Sequence, residues 1–381
     1  MRKTAACLLL IVVFSSLLGG CWNYRSLSEM AITSGVAVDR DPNTGLYHLC
    51  MEVVDLTAPV KEKGVQSRLI ESDGETLFDA VRNAKKRIVN KVFFGHMKLV
   101  VFSEDLVRNT DISTLVDFFL RDAECREMMS VAVSREPTAK DLLTIYGIGQ
   151  PLVAYEIQKI IEEDQKVTAS TSNMELFEIY NILSGEGIEL TLPAFHNTVN
   201  DGEPASEADG IAVFKGERFV GYLTPQESKC FLFVTNQLHG GVITCSSKSP
   251  DGPIDTTLEI SDNKTKLSFD NKDGQVTVNV ETETDTFLNE AYEPLDALDP
   301  VTIKTIEMYA SQRVMQNICE MIDRVRKDYN SDIFGFGNMI YRQDPNLWRS
   351  MADRWDEIFP ALTVNVKCKV NIVNSAALKK S

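Results

Sequence analysis

The stretch LTVNVKCKVNI, Leu362 to Ile372, alternates without a break. Leu362, Val364, Val366, Cys368, Val370 and Ile372 fall on one side, and Thr363, Asn365, Lys367, Lys369 and Asn371 on the other. Successive side chains of a strand point to opposite faces, so the pattern predicts a strand with one face in a core and one in water. Something apolar has to cover the dry face. The segment after Asp299-Pro300 supplies it: Ile303, Ile306, Ala310, Val314, Ile318, Met321 and Val325 recur at steps of three and four, the stripe of an amphipathic helix. At 1.5 Å per residue such a helix is about 40 Å long and crosses a whole sheet.

Working back from there, the second half reads as β-rich. A hairpin is expected over 211–214 and 218–223, turning at Lys215-Gly216-Glu217. Thr224-Pro225-Gln226-Glu227 then offers a capping threonine, proline at the first helical position and glutamate at the third, a strong helix start. Strands are expected over 241–246, 256–260, 264–269 and 275–286. In the first half, strands over 31–39 and 46–55 flank the turn DRDPNTG. Ser72 and Glu75 read as a capping box for a helix striped by Leu77, Val81, Ala84 and Ile88. A strand over 97–102, a helix over 112–123, a strand over 128–134 and helical segments over 138–145 and 152–163 follow.

This alternation predicts an α+β (mixed α/β) fold: a multidomain chain with mixed or antiparallel sheets packed with helices, and a C-terminal domain with a long helix across a sheet. The small, polar, acidic stretch VNDGEPASEADG, residues 199–210, reads as a linker. The expected organisation is a leader over 1–20, an N-terminal α/β region over 21–198, divisible into two subdomains, the linker, and a C-terminal domain over 211–381.

The chain opens with Arg2 and Lys3, then an apolar run to Leu18 that ends Leu18-Gly19-Gly20-Cys21. A short basic region followed by an apolar core is the layout of a secretory signal. Its ending looks like a bacterial lipobox, in which the thiol is alkylated with diacylglycerol and cleavage leaves the N-acylated (palmitate-type) cysteine as the new N-terminus. Cys21 is therefore the expected lipidation site. A transmembrane anchor and ordinary signal cleavage near Gly20 are the competing readings. Two or more acyl chains hold a protein to a bilayer where one does so marginally.

Thirty-nine Lys and Arg against 55 Asp and Glu leave a net charge of −16, which becomes −18 when Arg2 and Lys3 leave with the signal. Such a surface repels phosphate, so nucleic acid is excluded as a partner and anionic head groups do not by themselves attract the body.

The near-matches to catalytic and metal-binding motifs each fail at a particular residue. Asp39, Asp41 and Asn43 alternate as calcium ligands do, but Thr44 and Cys50 stand where an EF-hand needs glycine and an acid. Gly335-Phe336-Gly337 lacks the third glycine of a dinucleotide loop, and reads instead as a turn whose two phenylalanines plug a core. His48, His96, His196 and His239 are scattered, and no nucleophile elbow or zincin motif occurs. Cys50, Cys125, Cys230, Cys245, Cys319 and Cys368 show no C-x-x-C spacing and read mostly as small buried residues, with one or two bridges left open. Glu281, Glu283 and Asp285 read as a solvated strand face. Arg313, Arg324 and Arg326 with Glu307, Glu320 and Asp323 read as a salt-bridged wet face of the long helix. No catalytic residue, metal or cofactor is expected, and the chain is read as not an enzyme.

Between the long helix and the last strand lies DIFGFGNMIYRQDPNLWRSMADRWDEIFPALTV, with Asp332, Gly335, Gly337, Pro345, Trp348, Trp355 and Phe359. This resembles the C-terminal signature of the Ger(x)C family of spore germination proteins. The opening GCW followed by LSEMAITSGVAVD is similar to the family's start. Gly95-His96 with Lys98, Leu192-Pro193-Ala194 and GIAVFKGERFVGYLTPQES agree in the same order. Asn23 and Tyr24 stand where the family commonly has aspartate and arginine. The resemblance implies a lipoprotein C subunit of a nutrient germinant receptor on the outer face of the spore inner membrane. Its implied partners are a polytopic A subunit and a membrane-embedded B subunit. The rivals are a solute-binding lipoprotein of a transporter, with two lobes around a cleft, and an anchored hydrolase.

Overall fold

A computed structural model describes residues 29–56, 65–145, 149–272, 274–291 and 299–374; Cys21 and the expected leader lie outside the described residues. The chain is a mixed α/β protein with two sheets. The larger sheet has nine strands: β1 (Met30–Arg40), β2 (Tyr47–Val54), β3 (Ser67–Gly74), β4 (Lys91–Phe93), β5 (Leu99–Ser103), β6 (Ser130–Ser134), β7 (Thr191–Asn200), β8 (Glu203–Lys215) and β9 (Arg218–Leu223). They are ordered β3-β2-β1-β5-β6-β7-β8-β9, with β4 beside the start of β1. β1, β5, β6 and β7 run parallel, and antiparallel pairs flank them.

Both faces of this parallel centre are covered. Val36, Val38, Val100, Phe102, Val131 and Val133 meet the helices Glu104–Asn109, Ile112–Arg121 and Leu176–Leu183 on one side. Ala37, Leu99, Val101 and Ala132 meet Lys140–Leu143 and Val153–Val167 on the other. Strands covered twice are apolar throughout, and β5 and β6 are buried at every residue.

Two local expectations shift. No strand was foreseen at β3, and Ser72, expected as a helix cap, lies within it. The helix Leu77–Asn83 is capped instead by Thr76, whose hydroxyl accepts the Asp79 N–H at 3.1 Å. The hairpin after β1 is as expected: the Asp41 carboxylate accepts the N–H of Asn43 at 2.7 Å and of Thr44 at 3.3 Å, so this acid closes the turn.

The expected linker is not a free connection. Residues 199–210 are the distal half of the β7–β8 hairpin, which turns at Asp201-Gly202 with Asn200 opposite Glu203. Its polarity has a plain cause, because residues 199–204 project past the packed sheet and are exposed. Farther along β8, Ala212 and Phe214 point into the core of the first half, while Ile211 and Val213 point into that of the second. One strand thus belongs to both cores.

The smaller sheet is ordered β10 (Val242–Cys245), β11 (Thr256–Lys272), β12 (Gln275–Ala291) and β13 (Thr363–Asn374). β11 is one strand where two were expected; a register irregularity between Ile260 and Asp262 absorbs the polar residues that had read as a break. β12 and β13 are parallel, so the helix Pro300–Arg324 is their crossover. Asp299 caps it, accepting from the N–H of Val301 at 3.2 Å and Thr302 at 3.0 Å. Ile306, Ala310, Val314 and Ile318 cover the dry face predicted from Leu362–Ile372. The helix also closes the sheet's edge: the Ser311 hydroxyl accepts the Val370 N–H at 2.9 Å, and Glu307 accepts the Ile372 N–H at 2.8 Å. Glu307, expected on a wet ion-paired face, is an edge cap.

Candidate functional site

The signature segment organises the seam between the halves. The long helix ends in a wide turn, Val325–Tyr329, and the chain reverses at Asn330 with φ 46°. Asp332 follows, 2% exposed. Its carboxylate accepts the N–H of Phe336 at 3.1 Å, the N–H of Gly337 at 2.7 Å and the Trp355 indole N–H at 3.1 Å. The first two donors belong to the start of the helix Phe336–Gln343, which leaves amides unpaired unless a cap satisfies them. Burial pushes the Asp332 carboxyl up to about 7, against the pull of these three N–H groups.

The phenylalanines form the expected plug. Phe334 and Phe336 stack with centroids 5.1 Å apart, and Phe231 and Phe359 lie 6.4 and 6.5 Å from them. The same segment grips residues 186–189 of the first half. Gly337 and Gly187 approach so closely that a Cβ on Gly187 would lie 2.4 Å from the Gly337 carbonyl carbon, a contact only glycine permits. Asn338 donates its N–H to Gly187 O at 2.7 Å and its side-chain amide to Glu186 O at 2.8 Å, and the Trp348 indole donates to Glu186 at 3.2 Å. The Glu189 N–H reaches Asp332 O at 3.0 Å, and the Ser331 hydroxyl donates to Phe214 O on β8.

A second tie lies at the foot of the long helix. Arg324 binds Glu227, the Tyr222 carbonyl at 3.1 Å and the Tyr329 hydroxyl at 2.7 Å. Burial raises Glu227, but the Arg324 guanidinium and the Thr224 N–H and hydroxyl outweigh it and hold the carboxyl below its ordinary value. Thr224 and Glu227 form the capping box expected from the sequence.

The carboxyl ends of parallel strands are the usual place for a ligand in an open α/β sheet. Here β1, β5 and β6 end at a cleft of about 540 Å³ lined by Asp39, His48, Asp73, Ser103, Lys140 and Asp141. Several of its charges are tied up inside the molecule. His48 sits 2.6 Å from Asp73 and 3.1 Å from Glu71, which Lys140 reaches at 2.7 Å. Asp39 accepts the Ala139 N–H at 2.7 Å; burial raises its carboxyl, opposed by that N–H, the Ser103 hydroxyl and the Lys140 N–H. No group of three or more metal-ligating side chains occurs among the described residues.

The other residues singled out from sequence stay apart. His96 packs edge-on to Phe93, and His196 lies 3.3 Å from Asp209. The six described cysteines are free: Cys50, Cys230 and Cys245 buried, Cys125 and Cys368 half-buried, and Cys319 exposed. Burial pushes the Cys50, Cys125, Cys230 and Cys368 thiols up to about 12, far from the thiolate state that reacts. Glu281 and Glu283 form the expected open face, 3.1 and 2.6 Å from Lys367 and Lys369. Sequence reading named Asp332 as part of a motif and missed its role as the hub; Glu186 and Gly187 it missed altogether.

Comparisons with known proteins follow the same division. Residues 23–197 match the family described as spore germination protein N-terminal domain, and residues 209–376 match spore germination B3/GerAC like, C-terminal. Similar curated proteins, all from Bacillus subtilis (strain 168), include spore germination protein KC, 23% identical with 96% of this chain and 95% of the relative covered. Spore germination protein YndF is 25% identical, with 98% and 96% covered, and spore germination protein B3 is 22% identical, with 97% and 98% covered. The crystal structure of the GerBC protein shares the fold with a TM-score of 0.56 at 19% identity, covering 89% of this chain and 97% of that one.

Proposed function

The chain belongs to the Ger(x)C family of spore germination proteins, and from that premise we propose that it is the lipid-anchored C subunit of a nutrient germinant receptor. The observation that carries this is the nearly end-to-end match to several curated germination proteins, through both halves and in one order. Its anchor is a diacylglycerol and an N-acyl chain on Cys21, and its location the outer face of the spore inner membrane. Among the described residues no helix is long and apolar enough to cross a membrane; on this reading the attachment is made by Cys21.

The body acts by contact with membrane-embedded A and B subunits and not by catalysis. Tethering confines it near their exposed faces, so individually weak interfaces suffice. The solute-binding alternative needs two lobes that close about a hinge. A strand shared by both cores, and the ties through Asp332 and Arg324, hold the halves as one body and speak against it.

Replacing Cys21 with alanine should block normal processing or release the mature protein to the soluble fraction in otherwise wild-type cells; a variant that is both normally processed and fully membrane-associated sinks the anchor. Deleting the chain should abolish germination with particular nutrients while growth and sporulation continue. A growth or uptake defect instead would favour the transporter reading.

A further inference from the structure

The helix Pro300–Arg324 treats the two edges of the smaller sheet differently. At β13 its Ser311 and Glu307 side chains accept the edge N–H groups. At β10 the edge is left open. Gly241 O accepts the Ile260 N–H at 2.8 Å and Cys245 O the Asp255 N–H at 3.1 Å, so the alternation of an antiparallel ladder turns the backbone of Val242 and Thr244 outward. Lys229 Nζ donates to Val242 O at 3.0 Å, and the Thr244 N–H has no ladder partner.

Between this edge and the helices Pro225–Val234 and Pro300–Arg324 lies a cleft of about 250 Å³. Its polar lining is Gln226, Lys229, Thr244, Arg313 and Asn317, and among the described residues no Asp or Glu lines it, in a chain where acids outnumber Lys and Arg by 55 to 39. The ion pairs of the long helix are made by Arg324 and Arg326. Arg313, expected on the same salt-bridged face, has no carboxylate within ion-pair distance among the described residues, and neither has Lys229. The acids whose charge reaches Lys229 and its neighbour Cys230 are engaged elsewhere. Asp164 accepts the Thr171 N–H at 2.8 Å and the hydroxyls of Thr168 and Ser170, Glu227 binds Arg324, and Glu320 accepts from Gln316 at 2.9 Å. Burial pushes the Lys229 ammonium below its ordinary value, with Cys230 and Asp164 opposing. A half-buried ammonium bonded to one carbonyl keeps two donors free.

We propose that this cleft binds a small organic acid, its carboxylate taken by Arg313 and Lys229 and its short hydrocarbon part set against Phe233 and Val314, which also line the cleft. A guanidinium fork matches a carboxylate in bidentate fashion, and Gln226, Asn317 and the Thr244 N–H are further donors. The volume falls just short of the roughly 300–1,000 Å³ of common small-molecule pockets, which suits an acid of a few carbons and not a nucleotide. With no acid in the lining, nothing holds the ammonium of an amine or a zwitterion. The apolar wall favours a carboxylate with a hydrocarbon body over inorganic phosphate. The inference stands on the cleft alone, and neither the receptor role nor the Cys21 anchor enters it.

The test is saturation-transfer NMR on the purified protein with butyrate as the probe. The butyrate methyl signal should saturate with concentration, and butylamine should give none. Arg313→Gln, at an exposed helix position, should weaken butyrate binding at least about tenfold while keeping the circular dichroism and melting temperature, and Lys229→Gln should weaken it likewise. Arg342→Gln, exposed on the helix Phe336–Gln343 and outside the lining, should change nothing. A signal that never saturates, an unweakened Arg313→Gln variant or an equal response to butylamine overturns the proposal. Displacement of butyrate by inorganic phosphate at lower concentration than by propionate, or binding of an acidic peptide but not of butyrate, overturns the assignment to a small organic acid. None of these results touches the receptor reading, which the deletion and the Cys21→Ala fractionation test by themselves.

Discussion

The nine-stranded sheet is covered on both faces along its parallel centre, whereas the four-stranded sheet gives one whole face to water. The consequence is visible residue by residue. β5 and β6 are buried at every position, while β12 alternates between buried and exposed for nearly its whole length. Polar groups in the first setting need internal partners, because no water reaches them. In the second they pair loosely and at leisure: Glu281 faces Lys266 and Lys367, and Glu283 faces Lys264 and Lys369, all in solvent. A charge in the covered region is therefore a structural commitment, and one on the open face is a matter of solubility and register.

The hardest test of that contrast is Asp332, at the seam. Asp332→Ala strands three buried N–H donors and should cost about 3–5 kcal/mol in denaturant unfolding. Asp332→Asn keeps acceptors and should cost less. The same residue gives a pH signature. Its carboxyl is raised from 3.8 to about 7 on folding, so over that interval the folded state holds a proton that the unfolded state has lost. Its stabilising contribution is full below about pH 4 and declines as pH rises through about 7. The wild type should lose stability relative to Asp332→Asn across that window; parallel curves would show that Asp332 stays ionised.

Glu52 makes the comparison inside the larger sheet. It is fully buried on β2 and accepts the N–H of Val153 at 2.8 Å and of Ala154 at 3.0 Å, the start of a helix, together with the Ser34 hydroxyl at 2.6 Å. Glu52→Ala should cost about 2–4 kcal/mol and speed amide exchange in the helix Val153–Val167. Gly210 tests whether 199–210 is sheet or linker. It sits at φ 91°, and a Cβ there would lie 1.9 Å from Leu223 O. A linker tolerates Gly210→Ala, whereas this strand should lose about 2–3 kcal/mol.

Which features were legible follows from how local their causes are. The Thr224–Glu227 capping box, the striped helix after Asp299-Pro300 and the alternation of β13 each depend on residues within one turn, one helix or one strand, and all appeared as read. β3 escaped because its eight residues, SRLIESDG, are largely polar. The linker reading failed for the complementary reason: composition reports exposure, and a hairpin tip is as exposed as a linker. Asp332 is the sharpest case. Its hub role depends on Trp355, 23 residues away, and its surroundings on residues 186–189, more than a third of the chain away. Nothing within its own motif distinguishes a capping acid from a surface one. Cys21 lies outside the described residues, and its lipidation stays with the proposal.

The open face sets the smallest expected effect. Lys369 lies 2.6 Å from Glu283, and that pairing holds the Lys369 ammonium above and the Glu283 carboxyl below their ordinary values. Both side chains are more than half exposed. Water and salt screen such a pair, and holding two long side chains together costs entropy. Asn371 also donates to Glu283, at 3.1 Å, so the carboxylate keeps a partner when the lysine goes. Lys369→Ala should therefore leave the unfolding midpoint within measurement scatter, and the little it changes should vanish in molar salt. A loss comparable to that of Glu52→Ala, persisting in salt, would mean that this face is covered in the folded protein, and the contrast between the two sheets would fall.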